Sequence, residues 1–66
     1  MKVNRQKLEL AMARACMTSA ELPKAAELPR ATVQNAVVGK GVRPATVGKI
    51  ARALGVDPAE IIKTED

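Results

Sequence analysis

Apolar residues recur at intervals of three and four along most of this chain, a spacing that places them on one face of a helix. The clearest stripe consists of Val47, Ile50, Ala51 and Leu54. Pro44 suits the first position of this helix, and Gly55 suits its left-handed end. Because no segment alternates apolar and polar residues as a strand does, the pattern predicts an all-α fold.

Two earlier apolar stripes predict two more helices. The first helix has Asn4 as its N-cap, runs to about Cys16, and buries the face formed by Leu8, Ala11, Met12 and Ala15. The other covers about residues 29–38, with Pro29 in its first turn, where a proline loses no hydrogen bond. Its inward face is Val33, Ala36 and Val37. Gly39 suits a left-handed end for this helix.

The helix between these two is predicted from capping signals. Thr18 and Glu21 have the spacing of a capping box, so this helix should start at Thr18 or Ser19. Pro23 then falls inside the helix and removes one backbone hydrogen bond. A kinked or delayed helix is therefore expected.

A last short helix is predicted near the end of the chain. Asp57 is its N-cap, Pro58 its first residue and Glu60 the acid of a capping box. Val56 and Ile61 are spaced as a hydrophobic staple. The chain therefore reads as five short helices.

The five segments predict one compact domain over residues 1–66, with no strand between Arg5 and Ile62. The ends, residues 1–3 and 64–66, are left open because short chains can pair their termini.

The core must be built without aromatic side chains, since the chain has no Phe, Tyr or Trp. Small aliphatic residues suffice only where several helices pack closely. Close packing is the predicted reason for Gly48, which interrupts a helix at a cost of about 1 kcal/mol relative to alanine. Cys16 and Met12 are interpreted as core or core-edge residues.

Composition excludes several kinds of chemistry. With one cysteine and no histidine, the chain offers no zinc site and no nucleophile–base pair, so no metal, no small-molecule cofactor and no enzyme activity are expected. No run is long and apolar enough for a signal peptide or a membrane span, and a cytoplasmic protein is expected. The missing aromatic rings disfavour single-stranded nucleic acid, whose bases usually stack on such rings.

Charge is unevenly distributed along the chain. Residues 24–52 carry six basic residues and one acidic residue, whereas residues 53–66 carry one basic and four acidic residues. The basic middle suggests a polyanionic partner. An ordinary solvated basic surface explains the same charge, so charge alone leaves both interpretations open.

A longer pattern points to a family. The segment PATVGKIARALGVDPAEII, residues 44–62, combines a proline-started helix, an Ile-Ala-x-x-Leu-Gly-Val link and a short final helix. In this the chain resembles the Cro/repressor-type (XRE, lambda-repressor-like) helix-turn-helix DNA-binding family, over residues 5–62. Further motif positions match at Leu22, Leu28, Thr32, Val33 and Gly39-Lys40. The resemblance implies a five-helix domain with the helix-turn-helix motif at about residues 18–38.

The chain departs from the family pattern at three motif positions. Pro23 stands where the family usually has a small residue, and Glu27 where it often has glycine at the turn. Ser19 replaces the glutamine that commonly opens the second helix. These departures bear on how the second helix docks.

The outer face of the third helix carries candidate base-reading residues. With the apolar face inward, the outward residues are Ala31, Gln34, Asn35 and Val38. Adjacent amides suit adenine readout in a major groove, because each can donate and accept together. From the residues alone, an ordinary solvent-facing polar surface is the favoured interpretation. The family resemblance implies that the base-reading residues are Arg30, Ala31, Thr32, Gln34 and Asn35.

Backbone contacts are expected on both sides of that helix. Lys40 lies in a flexible basic loop just before a helix N-terminus, where backbone donors and the positive dipole end suit a phosphate. The resemblance implies phosphate contacts from Thr18, Ser19, Lys40, Arg43 and Thr46. A solvated inter-helix loop is the competing interpretation.

The expected function is that of a transcriptional regulator, repressor-like, which binds specific double-stranded DNA as a homodimer. Related small regulators usually act as two-fold dimers on palindromic operators. The alternative is a protein-interaction module of the same fold, such as an antitoxin or accessory subunit, with weak DNA affinity.

Overall fold

The computed structural model describes residues 1–63, and these form an all-helical fold. Its α-helices are α1 (Arg5–Arg14), α2 (Leu22–Ala26), α3 (Arg30–Val37) and α4 (Pro44–Leu54), followed by a single 3₁₀ turn at Pro58–Glu60. Residues 1–63 contain no strand, only an isolated antiparallel bridge between Val3 and Ile62. No helix in this part of the chain is long and apolar enough to cross a membrane.

Helix α4 holds the fold together. It packs against α2, α3 and the 3₁₀ turn, and its predicted stripe of Val47, Ile50, Ala51 and Leu54 is buried. Pro44 begins this helix, and Gly55 ends it with φ of 71°, as predicted. The other buried apolar residues are Val3, Leu8, Ala11, Leu22, Ala26, Val33, Ala36 and Ile61. Helices α1, α2, α3 and α4 therefore all contribute to one core without aromatic rings.

Helix α1 is capped as predicted and ends slightly early. The Asn4 side chain accepts a hydrogen bond from the Lys7 N–H at 2.9 Å. The helix stops at Arg14, two residues before the predicted end. Cys16 then takes a left-handed backbone with φ of 53° and is exposed, so its interpretation as a core-edge residue is wrong. Met12 does pack against the core.

Helix α2 is delayed, which is one of the two outcomes predicted from Pro23. The Thr18–Glu21 capping hydrogen bonds form, with the Thr18 N–H donating to Glu21 Oε1 at 2.8 Å. Regular helix nevertheless begins only at Leu22, which puts Pro23 at the second helical position. There its missing N–H breaks no intrahelical bond, because the first N–H groups of a helix have no partner within it.

The turn between α2 and α3 is made by a non-glycine residue. Glu27 adopts φ of 58° and ψ of 46°, a left-handed conformation that L-residues other than glycine adopt at a cost of about 1–2 kcal/mol. Glycine is common at this position in related motifs because it avoids that cost. The turn forms without it, since the buried Leu22 and Ala26 fix α2 on the core.

Helix α3 is one residue shorter at each end than predicted. Pro29 is its N-cap, with ψ of 145°, rather than its first helical residue. The Pro29 carbonyl accepts from the Thr32 and Val33 N–H groups at 3.1 and 3.2 Å, so the helix begins at Arg30. Gly39 follows the helix with φ of 89°, the predicted left-handed stop.

The predicted fifth helix is only a 3₁₀ turn, so the count of five helices is not confirmed. Its capping box is present, with Asp57 and Glu60 in the predicted roles. The chain leaves helical geometry at Ile61 because this segment pairs with the N-terminal residues. The Asn4 N–H donates to the Ile61 carbonyl at 2.7 Å, and the Lys63 N–H donates to the Lys2 carbonyl at 2.9 Å.

The ends of the chain pair, a possibility left open from the sequence. We call residues 1–4, Val42 and residues 61–63 the terminal seam. Besides the bonds at Ile61 and Lys63, the Val42 N–H donates to the Met1 carbonyl at 2.7 Å. Residues 64–66 lie outside the described residues.

Gly48 is not explained by close packing, so that prediction is wrong. A Cβ placed on Gly48 would have no neighbouring atom within 4 Å. Replacing Gly48 with alanine should therefore stabilise the domain by about 1 kcal/mol, because alanine is the better helix former. For a domain of this size the melting temperature should rise by roughly 4–8 °C. Thermal unfolding of the dilute protein tests this, and a lower melting temperature would contradict it.

Candidate nucleic-acid interface

The outward side of α3 is a polar face on an otherwise apolar helix. Val33 and Ala36 are buried, whereas the exposed residues are Arg30, Ala31, Gln34, Asn35 and the C-cap Val38. Thr32 is half-buried at the edge of this face. The predicted outward orientation of Ala31, Gln34, Asn35 and Val38 is therefore confirmed. The role of these side chains as base readers stays a prediction.

The amide groups of Gln34 and Asn35 are available for a partner. Within residues 1–63 neither amide takes part in a side-chain hydrogen bond. Each amide retains both donor and acceptor atoms. This combination allows a two-bond contact with the major-groove edge of adenine.

A shallow groove of about 250 Å³ separates the start of α2 from α3. It is lined by Ser19, Ala20, Pro23, Arg30, Val33, Gln34 and Val37. One candidate phosphate contact, Ser19, therefore lies on the same surface as two candidate base readers, Arg30 and Gln34. Pro23 forms part of the groove wall, because the delayed start of α2 places it beside α3.

Thr18 and Ser19 differ in whether their side chains are already hydrogen-bonded within the domain. Thr18 donates its backbone N–H and its hydroxyl to Glu21 Oε1, at 2.8 and 3.2 Å. A carboxylate therefore stands beside Thr18 and opposes the approach of a phosphate. Ser19 is exposed and has no such partner among residues 1–63. Ser19 is the better placed of the two for a phosphate contact.

The loop between α3 and α4 continues the polar surface from the end of α3. The Lys40 N–H donates to the Asn35 carbonyl at 2.9 Å, which fixes the start of the loop beside that residue. Lys40 and Arg43 are both exposed. Arg43 is the N-cap of α4, and within residues 1–63 its guanidinium makes no hydrogen bond or ion pair, so it remains available.

Thr46 is placed differently from the other candidate contacts. Its side chain is buried, with 9% of the residue exposed, and it lies one turn before Ile50 on the inward side of α4. Little of this side chain is accessible to a phosphate. The sequence pattern does not indicate this, because the apolar stripe of α4 begins only at Val47.

The candidate surface is positively charged and little compensated. Within residues 1–63 the ion pairs are Arg5–Glu9 and Arg14–Glu60, at 3.2 and 3.5 Å. Neither involves Arg30, Lys40 or Arg43. Unpaired cations around an exposed polar helix face produce a positive potential that attracts polyanions.

Comparison with known proteins identifies the class of this domain. Residues 7–66 match the Cro/C1-type HTH DNA-binding domain, and the chain belongs to this family. The predicted family resemblance is therefore confirmed.

One solved structure resembles the whole chain. A mutant of hydroxyethylphosphonate dioxygenase superimposes with a TM-score of 0.83 at 24% sequence identity, over 100% of this chain. The match spans only 14% of the dioxygenase chain, and at this identity it shows the fold alone. No curated protein matches the sequence significantly.

Proposed function

We propose that this protein is a sequence-specific, double-stranded DNA-binding transcriptional regulator with a repressor-like mode of action. The observation that carries the proposal is the exposed face of α3, where Gln34 and Asn35 present unpaired amides within a Cro/C1-type DNA-binding domain. In this mode of action the bound protein occupies an operator and excludes other proteins from it.

The helix-turn-helix motif covers about residues 18–38 of a single domain over residues 1–66. Helix α3 enters the major groove, which is wide enough to admit a helix. Its exposed amides read adenine, Arg30 reads guanine, and Ala31 contacts a thymine methyl group. Thr32 contributes from the edge of the helix face. The exposure of these side chains supports this arrangement.

The phosphate contacts flank α3 on both sides. Ser19 contacts the backbone from the start of α2, while Lys40 and Arg43 contact it from the loop before α4. Their exposure and their continuity with α3 support these roles. Thr18 is secondary because Glu21 holds its hydroxyl, and Thr46 contributes mainly to the packing of α4.

The protein acts as a homodimer on DNA. One recognition helix contacts too few base pairs to distinguish an operator from the many competing sites in a genome. A two-fold dimer doubles the contacts and requires a palindromic operator. DNA bound by one subunit on an asymmetric site would contradict this part of the proposal.

Replacing Lys40 with alanine should weaken binding to operator and random duplex alike, because a phosphate contact carries no sequence information. The slope of log K against log salt concentration is negative, and each lost contact should reduce its magnitude by about 1 per subunit. The measurement is a titration of both duplexes at several salt concentrations.

Lys49→Ala is the matched control for that titration, since Lys49 is exposed on α4 away from the α3 face. An unchanged slope in Lys40→Ala would contradict the phosphate role of Lys40. If the parent protein binds neither duplex in a salt-dependent way, the alternative of a protein-interaction module is favoured.

A further inference from the structure

The terminal seam brings two lysines next to the α3–α4 loop, although they stand at opposite ends of the described chain. The Val42 N–H donates to the Met1 carbonyl at 2.7 Å, and the Lys63 N–H donates to the Lys2 carbonyl at 2.9 Å. Adjacent extended segments joined by such bonds lie about 4.8 Å apart. Lys2 therefore lies beside the loop that carries Lys40 and Arg43, and Lys63 lies beside Lys2.

The side chains of the seam divide between the core and the solvent. Val3 and Ile61 are buried, at 3% and 0% exposure. Lys2 precedes Val3 in the chain, and Lys63 lies across the seam from Lys2. Both lysines are exposed. Successive residues of an extended segment point to opposite sides, so the burial of Val3 turns Lys2 outward. Because Val3 pairs with Ile62, Lys63 lies opposite Lys2 on the same outward side.

This outward surface is continuous with the end of the candidate recognition helix. The Lys40 N–H bonds to the Asn35 carbonyl at 2.9 Å, and Val42, two residues on, bonds to Met1. Backbone hydrogen bonds thus link α3, the loop and the seam in sequence. The loop is the element already proposed to meet the phosphate backbone at the edge of the groove.

Within residues 1–63, the charged residues of this surface, Lys2, Lys40, Arg43 and Lys63, are all basic. Residues 1–4 and 40–43 contain no acidic residue. The nearest described carboxylate along the chain from Lys63 is Glu60, which is engaged by Arg14 at 3.5 Å and by the Asp57 N–H at 3.2 Å. Within residues 1–63 no ion pair involves Lys2, Lys40, Arg43 or Lys63.

We infer that Lys2 and Lys63 form, together with Lys40 and Arg43, an extended phosphate-binding patch that lengthens the DNA footprint beyond the α3–α4 loop. The inference rests on the proposed function. It adds two residues from the chain ends to the DNA-binding surface. The seam has a defined role in it, since the pairing of residues 1–4 with Val42 and with residues 61–63 assembles the patch.

Lys2 gives the sharper test, because two acidic residues, Glu65 and Asp66, follow Lys63 closely in the sequence. The experiment compares the parent with Lys2→Gln, Lys40→Gln and Lys49→Gln, each on operator and random duplex over a range of salt concentrations. Lys2→Gln should reduce the magnitude of the slope of log K against log salt concentration by about 1 per subunit on both duplexes, as Lys40→Gln should. Lys49→Gln carries the same charge change on another face and should leave the slope unchanged.

Hydroxyl-radical footprinting locates the effect on the DNA. With Lys2→Gln, protection should be lost at the backbone deoxyriboses next to those lost with Lys40→Gln, while protection of the rest of the site persists. Unfolding curves check that the variants remain folded, since the seam bonds are made by backbone atoms.

The outcomes separate the inference from the proposed function. If Lys40→Gln lowers the slope and Lys2→Gln does not, the extended patch is wrong and the proposed function stands. If Lys2→Gln and Lys49→Gln lower the slope equally, the effect is one of net charge, and the patch is also wrong. If the parent shows no salt-dependent binding to either duplex, both the patch and the proposed function fail.

Discussion

Replacing Asn35 with alanine is expected to weaken binding to the preferred operator by roughly 1–3 kcal/mol and to leave binding to random DNA nearly unchanged. The physical reason is that in the proposed complex the amide makes two hydrogen bonds to one base edge and none to the DNA backbone. Truncation leaves that base edge unpaired in the specific complex only. Titration of both duplexes at one fixed salt concentration measures the difference.

Fold damage is a small concern in this experiment, because Asn35 is exposed and its side chain makes no hydrogen bond within the described residues. Its melting temperature should match that of the parent. Gln34→Ala provides a second test of the same face. If both variants bind the operator as the parent does, α3 is not the reader, and the two amides are ordinary solvated side chains.

Replacing Leu8 with alanine is expected to destabilise the domain by roughly 2–5 kcal/mol, whereas the same change at Leu10 should alter stability by less than about 0.5 kcal/mol. Both leucines lie in α1, two residues apart, so helix propensity changes equally in the two variants. Leu8 is 0% exposed in the core, and Leu10 is 55% exposed. The comparison isolates the contribution of burial.

The loss of folding stability expected from Leu8→Ala is large relative to the net stability of a domain of this size. A core of this kind rarely contributes more than about 3–5 kcal/mol of net stability, so Leu8→Ala should be largely unfolded at 25 °C. Urea and thermal unfolding followed by circular dichroism measure both variants. Equal stability of the two variants would contradict the packing of α1 on the core. Binding to DNA as a dimer would partly restore the stability of Leu8→Ala. Unfolding should therefore be measured on the free protein at low concentration.

The features that were predicted correctly depend on local interactions. The N-caps Asn4 and Asp57, the proline start of α4 and the glycine stops at Gly39 and Gly55 each involve residues a few positions apart. The inward stripes follow from helical spacing alone. The outward face of α3 was predicted for the same reason, since the residues opposite a buried stripe must be exposed.

The features that were missed depend on contacts between distant segments. The last helix shortens to a 3₁₀ turn because Ile61 and Lys63 bond to Asn4 and Lys2, about sixty residues away. Gly48 suggested a close approach of helices, but whether a neighbour lies opposite depends on the packing of the other elements. The spacing of residues along the chain predicts neither the pairing of these distant segments nor the open space beside Gly48.

The candidate DNA contacts also divide into those that local spacing predicts and those that depend on the surrounding fold. Gln34, Asn35, Lys40 and Arg43 are exposed because they lie outside the apolar stripes. The family resemblance implies a phosphate contact at Thr46, yet α4 packs on three neighbouring elements and its inward side is wide enough to bury this residue. Thr18 was expected as a donor to phosphate, and its pairing with Glu21 uses that donor.

Selection of bound fragments from a pool of random double-stranded DNA tests the central claim most directly. The parent protein should enrich a two-fold symmetric sequence whose half-sites are centred about one helical turn, or roughly 34 Å, apart. The half-sites should contain A·T pairs at the positions read by Gln34 and Asn35, and Asn35→Ala should lose the preference at one of them. Enrichment of no sequence by the parent, or of an asymmetric site unaffected by Asn35→Ala and Gln34→Ala, would contradict it.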